Sequence, residues 1–198
     1  MKKLIIVCEE KCKSCGNYLS QLISLDDDTD EIIVGTKDGE VAAQVWSEED
    51  YNSNAAQMSS NQYILFVGNS KLIKEKSAHM NTEFCEFGMK YGWLGKQAVI
   101  CVEKVVPLKQ YDEFIEYALK YQENIKALVI KEKNAGKVAL PLALAAGALA
   151  WVAPIVAAPI ASLNIIGMSK RSKKIEEQQY SCCVMKFYLD GLSKFLGM

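Results

Sequence analysis

The chain has 198 residues, half of them hydrophobic, with 23 basic side chains against 24 acidic ones. This length is enough for one ordinary domain with an appendage and too short for two full-sized domains. The apolar content excludes an intrinsically disordered chain. A net charge of −1 argues against a nucleic-acid partner, and a single histidine excludes a histidine-rich metal site.

The cysteines indicate a reducing compartment. The sequence contains seven cysteines, and the apolar run Leu4–Val7 is too short for a signal peptide. An odd number of cysteines without an export signal is typical of reduced thiols rather than of a disulfide framework. We therefore expect the N-terminal part of the chain to be cytoplasmic.

Apolar runs alternate with amphipathic stretches over the first 130 residues. The runs predict strands at Lys3–Cys8, Glu31–Gly35, Asn61–Gly68, Gln97–Glu103 and Ile125–Ile130, with a weaker element at Glu40–Trp46. Helical spacing predicts helices over residues 10–25, 47–57, 81–93 and 111–119, the second of them opened by Ser47 and Asp50. This order predicts an α/β fold with a doubly wound, mainly parallel five-stranded sheet of the TIR/flavodoxin-like kind.

The composition changes after Gly136. Val138–Ser169 is 32 residues without a charge, flanked by basic residues on both sides. A helix needs about 20 apolar residues to cross a bilayer. We therefore expect an α/β domain at residues 1–133, followed at 134–198 by an apolar membrane-associating segment (138–169) and a terminal helix.

Three arrangements of the apolar segment remain open. It forms a tilted transmembrane span, a re-entrant hairpin broken at Pro154 and Pro159, or a buried pair of alanine-rich helices in the core of a homo-oligomer. Beyond it, apolar residues at 185, 188, 189, 192, 195 and 196 predict an amphipathic helix. That helix lies at a membrane interface or packs on a neighbouring element.

Three cysteines have the spacing of an iron–sulfur site. Cys8, Cys12 and Cys15 form a C-x3-C-x2-C pattern, as in radical S-adenosylmethionine enzymes. Cys12 and Cys15 also fall on the apolar face of the predicted helix, where a free cysteine packs as a small hydrophobe. The sequence therefore favours packing over metal binding.

The candidate chemistry lies between residues 59 and 103. A predicted strand ends in Gly68, Asn69 and Ser70, and α/β proteins bind ligands beyond the carboxyl ends of their strands. We expect the backbone amides there to hold a phosphate or ribose. A carboxylate on the following predicted helix, from Glu83 or Glu86, would stabilise an oxocarbenium-like transition state. The same two glutamates also fit a solvated helix surface.

The run from Glu86-Phe87-Gly88 through Gly92-Trp93-Leu94-Gly95-Lys96 resembles a segment of TIR-like nucleotide-binding domains and nucleoside deoxyribosyltransferases. That segment reads E-[IL]-G-x-x-x-G-x-L-G-[KR]. The resemblance implies that Glu86 is the catalytic residue of NAD hydrolysis or base exchange, with Glu83 as the fallback. It further implies that Asn81 contributes to nucleotide binding and that NAD is a substrate; no other cofactor is indicated.

These expectations combine into a membrane-associated signalling or defence effector that binds or hydrolyses a nucleotide such as NAD and forms a homo-oligomer. The alternative is a non-catalytic self-assembling scaffold or pore-forming protein whose apolar helices form the oligomer core. The substitution Glu86→Gln separates the two, because only the enzyme would lose activity.

Overall fold

The computed structural model describes residues 2–23, 33–36, 39–134 and 165–197. The strands are β1 (Lys2–Cys8), β2 (Ile33–Thr36), β3 (Gly39–Ser47), β4 (Tyr63–Val67), β5 (Asn81–Glu86), β6 (Met89–Leu94) and β7 (Gln97–Val102). The helices are α1 (Lys13–Ile23), α2 (Glu48–Asn54), α3 (Lys71–Ser77), α4 (Tyr111–Asn134), α5 (Ile165–Lys186) and α6 (Leu192–Leu196). A π-helical turn, Phe187–Gly191, joins α5 to α6.

The described strands form one mixed sheet of seven strands, in the order β2-β3-β1-β4-β7-β6-β5. The four central strands, β3, β1, β4 and β7, are parallel to their neighbours in that group. The flanking strands β2, β6 and β5 pair antiparallel. The expected α/β class with a parallel centre is confirmed. The described sheet has seven strands instead of the expected five.

Helices cover both faces of the sheet. The side chains of β1 therefore point alternately into two cores, one on each face. Leu4 and Ile6 belong to the larger core, which α1, α4, α5 and α6 cover. Ile5 and Val7 belong to the smaller core, where Tyr51 of α2 and Ile73 of α3 pack. A run buried on both faces is typical of a central parallel strand.

The predicted helix over residues 81–93 is wrong. This stretch forms β5, a two-residue turn at Phe87 and Gly88, and β6. Both turn residues have positive φ angles, 49° and 71°, which is the geometry of the type I′ turn favoured in tight hairpins. Met89 and Tyr91 then point into the core on alternate positions, so a period of two governs this stretch.

The predicted strand Ile125–Ile130 is also wrong, because these residues continue α4. No glycine or proline interrupts the chain between Tyr111 and Ile130, so nothing local ends the helix. A short apolar run fits a strand and a buried helix equally well.

The transmembrane prediction is contradicted in the described part of the chain. There, no helix combines the length and the apolarity that a bilayer crossing requires. Residues 165–169 form the start of α5, whose sequence continues into the charged stretch Lys170–Glu177. Residues 138–164 lie outside the described residues.

The C-terminal helices pack on the sheet of their own chain. Tyr180, Phe187 and Phe195 are at most 3% exposed and belong to the larger core. Lys2 Nζ donates to the carbonyl oxygen of Leu196 at 2.7 Å, which ties α6 to the first strand. Of the two sequence expectations for this helix, packing on a neighbouring element is the one observed.

Candidate functional site

The parallel strands reverse their order between β1 and β4. In chain order they are β1, β3, β4 and β7, and in space they run β3-β1-β4-β7. The connection that follows β1 therefore runs toward one edge of the sheet, and the connection that follows β4 runs toward the other edge. In open α/β sheets, the carboxyl ends of two strands beside such a reversal, here β1 and β4, are the usual place for a ligand.

Glu9 lies at this reversal point. Its backbone N–H donates to the carbonyl oxygen of Val67 at 3.0 Å, and its carboxylate Oε2 accepts from the N–H of Asn69 at 2.7 Å. The N–H of Gly68 donates to the carbonyl oxygen of Ile100 at 3.0 Å. The amides of Gly68 and Asn69, which the sequence assigned to a phosphate or ribose, thus donate to acceptors of the protein.

Ser70 and Glu48 extend this site across β3. The Ser70 hydroxyl accepts from the N–H of Ile73 at 3.3 Å, as the N-cap of α3, and donates to the Glu48 carboxylate. Glu48 is the first residue of α2, which Ser47 and Asp50 begin with the expected capping box. The carboxyl ends of three adjacent strands therefore contribute two carboxylates, the backbone amide of Asn69 and a hydroxyl.

The larger-core side of this rim carries an ion pair. Lys11 Nζ lies 2.8 Å from Glu176 Oε1 and 3.5 Å from Glu9 Oε1, so it links the turn after β1 to α5. Burial lowers the pKa of Lys11, but the hydrogen bond to Glu176 and the charge of Glu9 outweigh it and raise the pKa above the usual value. The ammonium also lies over the Tyr180 ring, 5.9 Å from its centroid.

Glu86 lies apart from this group. It ends β5 and is held by Lys186 of α5, whose ammonium is 3.6 Å from Glu86 Oε1. Burial, followed by hydrogen bonding to Glu86, raises the pKa of Tyr117. Lys186 and Tyr117 belong to helices on the larger-core face, whereas Ser70 contacts α2 on the smaller-core face. The structure does not bring Glu86 to the Gly68–Ser70 segment.

The other two predicted residues also lie on β5. Asn81 starts this edge strand, at the end opposite to Glu86, and is exposed. Glu83 lies between them, where the register with β6 is irregular. Sequence reasoning missed Glu9 and Glu48, although each directly follows a strand, which is the signal that identified Gly68–Ser70.

Six of the seven cysteines have described side chains, and these six are buried thiols. Cys8, Cys12, Cys15, Cys101, Cys182 and Cys183 are free and buried. Burial raises the pKa of Cys8 to about 12 and that of Cys15 to about 11, so both stay protonated at neutral pH. In the described ranges, no three His, Cys, Asp or Glu side chains are grouped to hold a metal ion. Cys12 and Cys15 lie in the larger core, as expected for the apolar face of the helix.

No family model, curated protein or solved structure matches this chain.

Proposed function

We propose that this protein binds a nucleotide such as NAD at the carboxyl ends of β3, β1 and β4, in a TIR-like α/β domain with a doubly wound sheet. The observation that carries the proposal is the meeting of Glu9, Glu48 and the Asn69–Ser70 segment at the strand-order reversal. Polar groups from three strand ends converge there, although they are far apart in the sequence.

The charge of this site favours the ribose end of the ligand. Glu9 and Glu48 offer carboxylate oxygens, and the neighbouring Glu10, Glu49 and Asp50 are exposed acids. Carboxylates accept hydrogen bonds from ribose hydroxyls, as the acidic residue of dinucleotide folds does. They also attract a cationic nicotinamide ring and repel phosphate. We place the nicotinamide riboside half of NAD against Glu9 and Glu48, with the phosphates outside.

If the bound nucleotide is cleaved, the carboxylate nearest the ribose is Glu9 rather than Glu86. A ribosyl cation is stabilised by an adjacent anionic carboxylate. Glu9 borders the proposed site through its contact with Asn69, whereas Glu86 ends the edge strand β5 and has no contact with that segment. We therefore assign any N-glycosidic cleavage to Glu9, which revises the role that the resemblance implies for Glu86.

Titration calorimetry of the full chain with NAD and with nicotinamide riboside tests this proposal. We expect both to bind, and Glu9→Gln to weaken binding about tenfold or more, because a charge-assisted hydrogen bond is lost. Glu10→Gln is the matched control, since Glu10 is the exposed neighbour. NAD consumption, where present, should disappear in Glu9→Gln and persist in Glu86→Gln. Equal binding by wild type and Glu9→Gln, or no binding of either compound, contradicts the proposal.

Membrane association and a role as a signalling or defence effector stay proposals, and the described helices constrain them. Tyr111 contacts Gln178 and Tyr121 contacts Lys186, so α4 and α5 run side by side in the same direction. Each continues roughly 20 Å beyond these contacts, at opposite ends. The end of α4 at Asn134 and the start of α5 at Ile165 therefore lie at opposite ends of this helix pair, and a membrane-associating segment would attach to the domain at these two points.

A further inference from the structure

A cavity of about 380 Å³ lies between the β5–β6 turn and the loop that follows β7. Its walls include Phe87, Gly88, Lys104, Val106, Pro107 and Gln110. This volume is within the range of pockets that take small organic ligands. None of these residues belongs to the nucleotide site proposed above, so the cavity is a separate feature.

A buried amide holds the two walls of this cavity together. Gln179 of α5 is fully buried, and its Nε2 donates to the carbonyl oxygens of Phe87 at 2.5 Å and of Lys104 at 3.3 Å. Its Oε1 accepts from the N–H of Val106 at 3.3 Å. The turn is also joined to β7 by the N–H of Glu103, which donates to the carbonyl oxygen of Gly88 at 2.8 Å. The cavity is therefore preorganised, which lowers the entropic cost of binding.

The lining of the cavity combines apolar and polar groups. Phe87, Val106 and Pro107 provide an apolar surface, and the Phe87 ring is fixed by edge contacts with Phe114 and Tyr117. Lys104 is exposed, and among the described residues no carboxylate pairs with its ammonium group. An unpaired cation in the lining of a cavity that is part apolar and part polar is complementary to a small anion with an apolar body.

We propose that this cavity binds a small carboxylate with an aromatic or branched apolar body, with Lys104 holding the carboxylate and Phe87 packing against the body. The Gln110 side chain, also at the wall, adds an amide donor. The site is independent of NAD binding, because neither Glu9 nor Glu48 contributes to it.

Chemical-shift titration of the full chain with benzoate tests this site, with benzamide as the uncharged analogue of the same shape. We expect benzoate to shift backbone amides of residues 87–88 and 104–106, with a dissociation constant on the order of millimolar for so small a ligand. Benzamide should bind the wild-type chain about fivefold or more weakly than benzoate does, since the ion pair is lost. The Lys104→Gln variant should bind benzoate about fivefold or more weakly than the wild type does, for the same reason. Lys104→Arg should keep the affinity within about threefold, because it retains the charge.

Lys109→Gln is the matched control, since Lys109 is an exposed lysine of the same region that does not line the cavity. It should bind benzoate as wild type does. The proposal is overturned if benzoate shifts no amides around the cavity, if benzamide binds as tightly, or if Lys104→Gln keeps the wild-type affinity. An unchanged NAD titration in Lys104→Gln separates failure of this site from failure of the nucleotide site.

Discussion

The Lys186 ammonium donates a hydrogen bond to the Tyr121 hydroxyl at 2.8 Å, across the contact between α5 and α4. Carboxylates of Glu86 and Asp190 lie 3.6 and 3.5 Å from the same ammonium. Burial lowers the pKa of Lys186, but Tyr121 and the two carboxylates outweigh it and raise the pKa above the usual value. Lys186 therefore stays charged and joins β5, α4 and α5.

We expect Lys186→Met to lower the free energy of unfolding by about 1–3 kcal/mol, because Tyr121 loses its donor and two half-exposed carboxylates lose their counter-charge. Lys120→Met, an exposed position on α4, should change it by less than about 0.5 kcal/mol. Urea unfolding followed by circular dichroism measures both. If both substitutions change the free energy of unfolding equally, the contacts of Lys186 with Tyr121, Glu86 and Asp190 contribute nothing to stability.

The two glycine turns of the β5–β6–β7 meander should respond differently to alanine. Both Gly88 and Gly95 have positive φ, so alanine at either costs about 1 kcal/mol of backbone strain. A Cβ at Gly88 would also lie 2.0 Å from the carbonyl oxygen of Lys104, whereas a Cβ at Gly95 meets nothing within 4 Å. We expect Gly88→Ala to destabilise by at least about 2 kcal/mol more than Gly95→Ala in thermal unfolding. Matching losses would argue against the close approach of the Lys104 loop.

The buried thiols predict a loss of stability at alkaline pH. Thiols of the unfolded chain titrate near 9.0, while burial raises the pKa of Cys8 to about 12 and that of Cys15 to about 11. Above pH 9 the unfolded chain therefore releases protons that the folded chain keeps, and the free energy of unfolding falls as pH rises. We expect a loss of roughly 1 kcal/mol per thiol at pH 10 compared with pH 8, measured by urea unfolding.

Two variants separate titration from packing in that experiment. Cys8→Ala combined with Cys15→Ala should lower stability at pH 8 yet flatten its dependence on pH. Val184→Ala, which truncates another fully buried side chain, should lower stability at both pH values and keep the wild-type slope. A wild-type slope in the double cysteine variant would rule out these thiols as the titrating groups.

A fragment of residues 1–133 should not fold. It lacks α5, α6 and the π-helical turn between them, whose Tyr180, Phe187 and Phe195 are buried in the larger core, each worth about 1.5–3 kcal/mol. Together with their neighbours these losses approach the stability of a whole domain, about 5–15 kcal/mol. We expect sedimentation and far-ultraviolet circular dichroism to show aggregated or unfolded material. The control is a chain in which a Gly/Ser linker of equal length replaces residues 138–160, and it should keep the fold. A folded, soluble 1–133 fragment would contradict the prediction.

Several elements could be predicted from local patterns in the sequence. The β-branched runs of β1, β4 and β7 and the Ser47–Asp50 cap were predicted, because strand burial and helix capping depend on residues a few positions apart. The same local reasoning failed at residues 81–93 and 125–130. In the first, a turn with two positive φ angles reverses the chain; in the second, an apolar run lies within a helix.

The sequence by itself determined the α/β class, the parallel centre of the sheet and the placement of Gly68–Ser70 beyond a strand end, since these follow from residue pattern. Only the tertiary structure decided which charged groups meet. Glu9 reaches the amide of Asn69, and Lys186 reaches Glu86, across 60 and 100 positions of the chain. Such pairings depend on strand order and helix docking, which many buried contacts set together and no short stretch of residues encodes.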